Sequence, residues 1–242
     1  MTDAMTSDHD IPAAPRRLGE EMLLDYAAGT LDAPTALMVA AHLDLCPEAR
    51  AVAGVAETAG GILLDDTAPV PLHDGALGRL FARIDAEGAP AARPPQMPAG
   101  MRSAAGEETD ALPAPVRARI AERGGRWTFV APGVRAMDLG FDLPQAAGAA
   151  AGGEVRLYRI EPGRGVPTHT HRGSEVTLVL TGAFADGHDR YGPGDIAVAT
   201  PDVTHRPVAA PGGVCFALAI TDAPLKLTGA LGLVQRALGG GI

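Results

Sequence analysis

Cysteine is scarce in this chain: Cys46 and Cys215 are the two in 242 residues. Two thiols cannot build a disulfide framework, and the default compartment is therefore reducing and cytoplasmic. Aromatic residues make up 4% of the chain, which argues against an aromatic surface for stacking bases. Positive charge is in deficit, with 20 lysines and arginines against 29 aspartates and glutamates, a formal net charge of −9. That balance argues against direct nucleic-acid binding, which needs cationic groups to displace counterions, and it suits a basic protein partner. No apolar run reaches the roughly 18 residues of a membrane span. The first 20 residues mix Asp, His, Pro and Arg and lack the apolar core of a signal peptide.

Chain breakers, by contrast, are abundant, with 31 glycines and 21 prolines. They divide the sequence into regimes. Residues 1–16 are polar and Pro-rich, the composition of a disordered tail. Residues 17–95 read as a helical domain. Leu23, Leu24 and Tyr26 precede a break at Gly29–Asp32, and an Ala-rich run from Ala36 to Leu45 forms a second helix that Pro47 ends. Ala49 to Leu64 reads as a third helix interrupted at Gly60-Gly61, and His73 to Ile84 as a fourth. Proline and glycine are frequent from Gly88 to Pro115, and residues 96–115 read as a linker. From residue 116, and clearly from Trp127, the pattern changes to short apolar runs spaced by Gly and Pro: Val155–Ile160, Val176–Leu180, Asp195–Ala199 and Val214–Ile220. That spacing predicts an antiparallel all-β sandwich or barrel over 116–242.

Within the β half, Gly163 is followed by His169-Thr170-His171, Glu175 and Gly182. This resembles the first cupin motif, in which Gly, His-x-His, Glu and Gly stand at these intervals. Gly194-Asp195, Pro201 and His205 resemble the second, with the following turn altered. The resemblance implies a double-stranded β-helix barrel holding one divalent metal on His169, His171, Glu175 and His205. Strand geometry is consistent with it, because residues i and i+2 point the same way and both histidines can face the interior. Three imidazoles and one carboxylate suit zinc, iron, manganese, nickel or copper, with zinc the leading expectation. A lone His-x-His is ordinarily a surface pair; four ligands in order and spacing are not.

The helical half carries Leu23-Leu24-Asp25-Tyr26-Ala27-Ala28-Gly29-Thr30-Leu31 and, downstream, Ala41-His42-Leu43-Asp44-Leu45-Cys46-Pro47. Joined to a cupin motif, these resemble the ChrR-type anti-sigma factors. The resemblance implies that the helical domain sequesters an extracytoplasmic-function sigma factor, with Leu23, Leu24, Tyr26 and Leu31 on the partner side. It also implies that the cupin domain senses an oxidative or related stress, singlet oxygen among them. The family's helical zinc site uses an upstream His plus His-x3-Cys-x2-Cys. Here His42 and Cys46 stand at i and i+4 on one helix face, but Ala49 replaces the second Cys. The upstream His position falls near Arg16 or Arg17, and His9 is the sole histidine before His42. His9 or Glu48 could complete a site; otherwise His42 and Cys46 are core residues of a domain that folds by helix packing alone.

The remaining candidates have plain readings. Cys215 lies in an apolar strand and reads as core, with no neighbouring cation to lower its pKa. His188 reads as a loop residue, His73 as helix-terminal surface, and Asp65-Asp66 as a solvated turn. A metal-dependent cupin enzyme of the dioxygenase kind, with a helical extension, is the rival function; a metal-storage or ligand-binding cupin is a third. The helical half discriminates, since a lone cupin enzyme has no need of it.

Overall fold

The computed structural model describes residues 16–87, 108–141, 143, 152–171, 173–187, 189–222 and 226–227. The tail at 1–15, His9, most of the expected linker and His188 lie outside the described residues. Two compact units are present: residues 1–56 with 112–242, and residues 57–111.

The first unit opens with α1 (Glu20–Ala27) and α2 (Ala33–Leu45). Asp32 caps α2 by accepting from the Thr35 backbone N–H at 2.8 Å, with Pro34 in the first turn. That cap moves the helix start ahead of the expected Ala36. Cys46 leaves helical geometry, and α3 (Pro47–Asp65) begins at the proline. Pro47 thus separates two helices and starts the second, because its missing N–H is an orphan donor in any first turn. The expected interruption at Gly60-Gly61 does not occur, and α3 runs through both glycines. Glycine costs a helix about 1 kcal/mol relative to alanine, which long flanking turns absorb.

A helix absent from the sequence expectations, α5 (Ala114–Arg123), precedes the barrel and is ended by Gly124 at φ 65°; α4 (Ala76–Glu87) belongs to the second unit. Strands β1 (Thr128–Ala131), β2 (Val134–Asp138), β3 (Glu154–Ile160), β5 (Glu175–Thr181), β8 (Ile196–Ala199) and β10 (Cys215–Thr221) form one antiparallel sheet in the order β1-β2-β3-β10-β5-β8. A smaller sheet has the order β7-β6-β9, with β6 at Phe184–Asp186, β7 at Asp189–Tyr191 and β9 at Val208–Ala209. Strand β4 (His169–Thr170) pairs with β11 (Lys226–Leu227). The cupin barrel lies between these sheets.

The central strands β5 and β10 are buried on both faces, which is why they read as near-continuous apolar runs. Tyr158, Ile160, Val179, Cys215 and Ala219 belong to a core inside the barrel with Phe184 and Tyr191. Their alternates Val155, Leu157, Leu178, Leu180, Phe216 and Leu218 form a second core with Met38 and Ala41 of α2 and Val116 of α5. The period of two assigns every one of these residues. Helix α2 also has an opposite face: Val39 joins Leu23, Cys46 and Ala49 in a small helical core. One short helix therefore links the helical core to the barrel core.

In the second unit, α4 (Ala76–Glu87) follows a turn in which Gly75 adopts φ 73°, three residues later than the expected start at His73. Leu77, Leu80, Phe81 and Ile84 are all more than half exposed. They recur at i, i+3, i+4 and i+7 and so form one apolar stripe.

Candidate metal centre

His169 and His205 are antiparallel partners. Each backbone N–H donates to the other's carbonyl, both at 3.1 Å. Directly opposed residues of this kind send their side chains to the same face. His171 joins them two residues along the chain. Glu175 enters at the head of β5, on the inward face it shares with Thr177 and Val179. The nitrogens and the carboxylate oxygen of His169, His171, Glu175 and His205 lie within 4.8 Å of one another. His169, His171 and Glu175 are buried, and the side chain of His205 is 8% exposed.

The loop between His171 and Glu175 is pinned from outside. The Ser174 backbone N–H donates to Asp222 Oδ1 at 2.7 Å. Gly173 leaves the room: a Cβ there would fall on the Asp222 carboxylate.

Hydrogen bonds fix two of the three imidazole tautomers. His169 Nδ1 lies 2.7 Å from the Pro167 carbonyl, an acceptor only, so Nδ1 carries the proton. His205 Nδ1 lies 2.5 Å from Asp186 Oδ2, which fixes the proton there in the same way. Both Nε2 atoms then present lone pairs, and they stand 3.0 Å apart. His171 Nε2 lies 2.8 Å from His205 Nε2, while its Nδ1 is buried with no partner among the described residues. Two lone pairs at 3.0 Å repel unless a cation lies between them. The donor set therefore fits a divalent metal, and a carboxylate–histidine pair such as Asp186–His205 is the usual outer support of such a site.

Burial gives the imidazoles the protonation state a metal needs. It pushes the pKa of both His169 and His171 down to about 4, with the neighbouring histidines adding to the effect. Their lone pairs are thus free at neutral pH. Burial raises the pKa of Glu175, against the pull of His205 and a 3.2 Å hydrogen bond donated by the Thr177 hydroxyl. A cation at the centre would reverse that rise. The cavity beside the cluster is lined by Tyr158, Phe184, Tyr191, Val203 and Ala217.

Asp186 and Asp222 were not among the residues the sequence singled out. Each lies at or just past the end of a strand, Asp186 closing β6 and Asp222 following β10, and an acidic residue there is the available signal. Cys215 faces the barrel interior, fully buried, and burial pushes its thiol pKa up to about 12. That agrees with core packing. His73 is exposed ahead of α4, and Asp65-Asp66 close α3 at the surface.

In the helical half, Leu24 is 52% exposed and Leu23 is buried. Leu23 therefore fills the helical core and cannot present a surface to a partner; Tyr26 and Leu31 are half-buried against the same cluster. His42 and Cys46 are buried, and no third His, Cys, Asp or Glu among the described residues converges with them as a metal-holding group.

Residues 117–223 match the family described as the ChrR Cupin-like domain. The chain is 42% identical over 213 residues to the anti-sigma-E factor ChrR of Cereibacter sphaeroides, covering 86% of this chain and 90% of that protein. It is also similar to a chain in the crystal structure of Rhodobacter sphaeroides SigE in complex with the anti-sigma ChrR. There the TM-score is 0.63 and the identity 36%, over 87% of this chain and all of the other. The likeness to these relatives runs through both the helical segment and the barrel, and the chain belongs to the ChrR family of anti-sigma factors.

Proposed function

We propose that this protein sequesters an extracytoplasmic-function sigma factor in the cytoplasm and that its cupin barrel, loaded with one zinc ion, tunes that grip in response to stress. The observation that carries the partner reading is the stripe on α4. Leu77, Leu80, Phe81 and Ile84 stand exposed on one helix face, and unpartnered stripes of this kind mark protein interfaces. Residues 57–72 of the same compact unit also expose Ile62, Leu63, Leu64, Val70 and Leu72. The net charge of −9 suits a basic, DNA-binding partner. The relative at 42% identity is named as an anti-sigma-E factor, which favours a regulator over the dioxygenase reading.

Residues 17–95 supply the sigma-binding surface in this account and residues 116–242 the sensor, joined through 96–115. The four ligands are His169, His171, Glu175 and His205. A metal held by them would supply a Lewis-acidic centre. The chain's own residues do the rest. Pro167 and Asp186 hold two imidazole tautomers, and Asp222 holds the loop between His171 and Glu175.

The test is run-off transcription by RNA polymerase with the sigma factor of the same genome. Added protein should abolish it. The His169→Ala/His171→Ala variant should still repress while failing to respond to singlet oxygen or another inducing oxidant. Transcription unaffected by stoichiometric protein would defeat the proposal, and normal induction in the double variant would move the sensor elsewhere.

A further inference from the structure

His42 is completely buried, and among the described residues neither ring nitrogen has a well-formed hydrogen bond, although the Gly194 backbone and Asp195 of the barrel lie close enough to favour the charged ring. An orphaned imidazole in a family that builds a helical zinc site calls for a cation nearby. Among the described residues, the donors around it do not make up a metal-holding group. The Cys46 thiol is turned to Glu48 Oε2, to which it donates at 3.3 Å. Ala49, buried in the helical core, offers no ligand where the family motif has its second cysteine. The charge beside His42 is instead a guanidinium. Arg17 lowers the pKa of His42, second only to burial.

The guanidinium is held by the barrel. Arg17 Nη1 donates to the Pro193 carbonyl at 3.3 Å and lies 3.9 Å from Asp195 Oδ1. That oxygen is buried and has no hydrogen bond, while Oδ2 accepts from the Gly192 N–H at 2.8 Å. Gly194, at φ 84°, is the reason the guanidinium fits. A Cβ there would land on Nη1 and come within 3.6 Å of Leu45 in α2. The preceding residue is fixed too: the Ile196 N–H donates to the Arg16 carbonyl at 2.7 Å, and Arg16 pairs with Asp189 at 2.7 Å and with the Tyr191 hydroxyl.

We propose that the Arg17 guanidinium takes the place of the structural cation between α2 and the barrel. The helical segment then closes without zinc, and the same cation anchors it to the β7–β8 turn. The cation is covalently part of the chain, so this anchor cannot be stripped by a chelator or lost with a thiol. Arg17 is a positioning residue here, acting through Asp195 and the turn rather than on any ligand.

Two measurements on the full-length protein test this. The first is elemental analysis after zinc loading and dialysis. One equivalent is expected in the wild type and none in His169→Ala/His171→Ala. Adding Arg17→His and Ala49→Cys to that double variant should create a new equivalent. A wild-type equivalent that survives His169→Ala/His171→Ala but is lost with Cys46→Ser overturns the proposal, as does failure of the redesigned pair to bind zinc. The second is a double-mutant cycle of Arg17→Met with Asp195→Asn, which keeps the acceptor for Gly192. Each single change should lower Tm by about 2–4 °C, the shift about 1 kcal/mol produces in a chain of this size. The double variant should fall no further than the weaker single variant. Strictly additive shifts would show that the guanidinium and Asp195 do not act together.

Discussion

Replacing Asp186 by Asn is the sharpest perturbation of the metal centre that leaves all four ligands in place. Asp186 Oδ2 lies 2.5 Å from His205 Nδ1, with the aspartate side chain 19% exposed and the histidine 8%. The carboxylate forces the proton onto Nδ1 and leaves Nε2 as a lone pair facing His169 Nε2 at 3.0 Å. An asparagine can still accept through its oxygen, but the amide is neutral and can flip to present N–H. The flipped amide would favour the tautomer that blocks Nε2. Outer-sphere changes of this kind cost about 10–100-fold in metal affinity, or about 1.4–2.7 kcal/mol. His169 should keep its orientation, since its Nδ1 is held by the Pro167 carbonyl. The assay is zinc competition against a chromophoric chelator, with Asp189→Asn as the control on the same hairpin. Wild-type affinity in Asp186→Asn would refute the claim that the carboxylate sets the tautomer of His205.

Three further outcomes are expected. Gly173→Ala should weaken zinc binding by at least about tenfold, because its Cβ displaces Asp222 from Ser174 and frees the loop between His171 and Glu175; the same competition assay reads it. Phe81→Ala should raise the Kd for the sigma factor by about fivefold or more, since central aromatics dominate interfaces. Its Tm should stay within about 1 °C, because exposed changes contribute little to folding; calorimetry and titration together check both. Cys215, held at about 12 by burial, carries its reactive thiolate only above that pH in the folded state. Alkylation by iodoacetamide should therefore be negligible from pH 7 to 9 and appear on unfolding, and rapid native labelling read by mass spectrometry would show an open barrel.

The parts of this molecule legible in the sequence are those fixed by local spacing. His169, His171 and Glu175 fall within seven residues, and strand periodicity alone turns both histidines inward. The alternation in Val155–Ile160 and Val176–Leu180 likewise reports a strand. What stayed hidden depends on pairing between distant segments. Asp186 supports His205 from another strand, and Asp222 pins a loop 48 residues away. Helix α5 lies in Pro-rich surroundings, and Pro113, Ala114 and Pro115 resemble a linker until Val116 is buried against the sheet. Leu23 and Leu24 look equivalent as a pair of leucines, and only the direction of α1 against α2 sends one inward and the other to solvent. The run through Gly60-Gly61 shows that two weak helix formers do not end a helix when no αL turn follows them.

The central claim joins a sigma-binding surface to a metal held by the barrel, and one measurement meets it most directly. The full-length protein is co-expressed with the extracytoplasmic-function sigma factor of its own genome. The purified complex is then analysed for stoichiometry and bound metal, beside the His169→Ala/His171→Ala variant. The account predicts a one-to-one complex with one metal ion per chain in the wild type and an intact complex without metal in the variant. A protein that binds no sigma factor, or a double variant that keeps its full metal content, would contradict it.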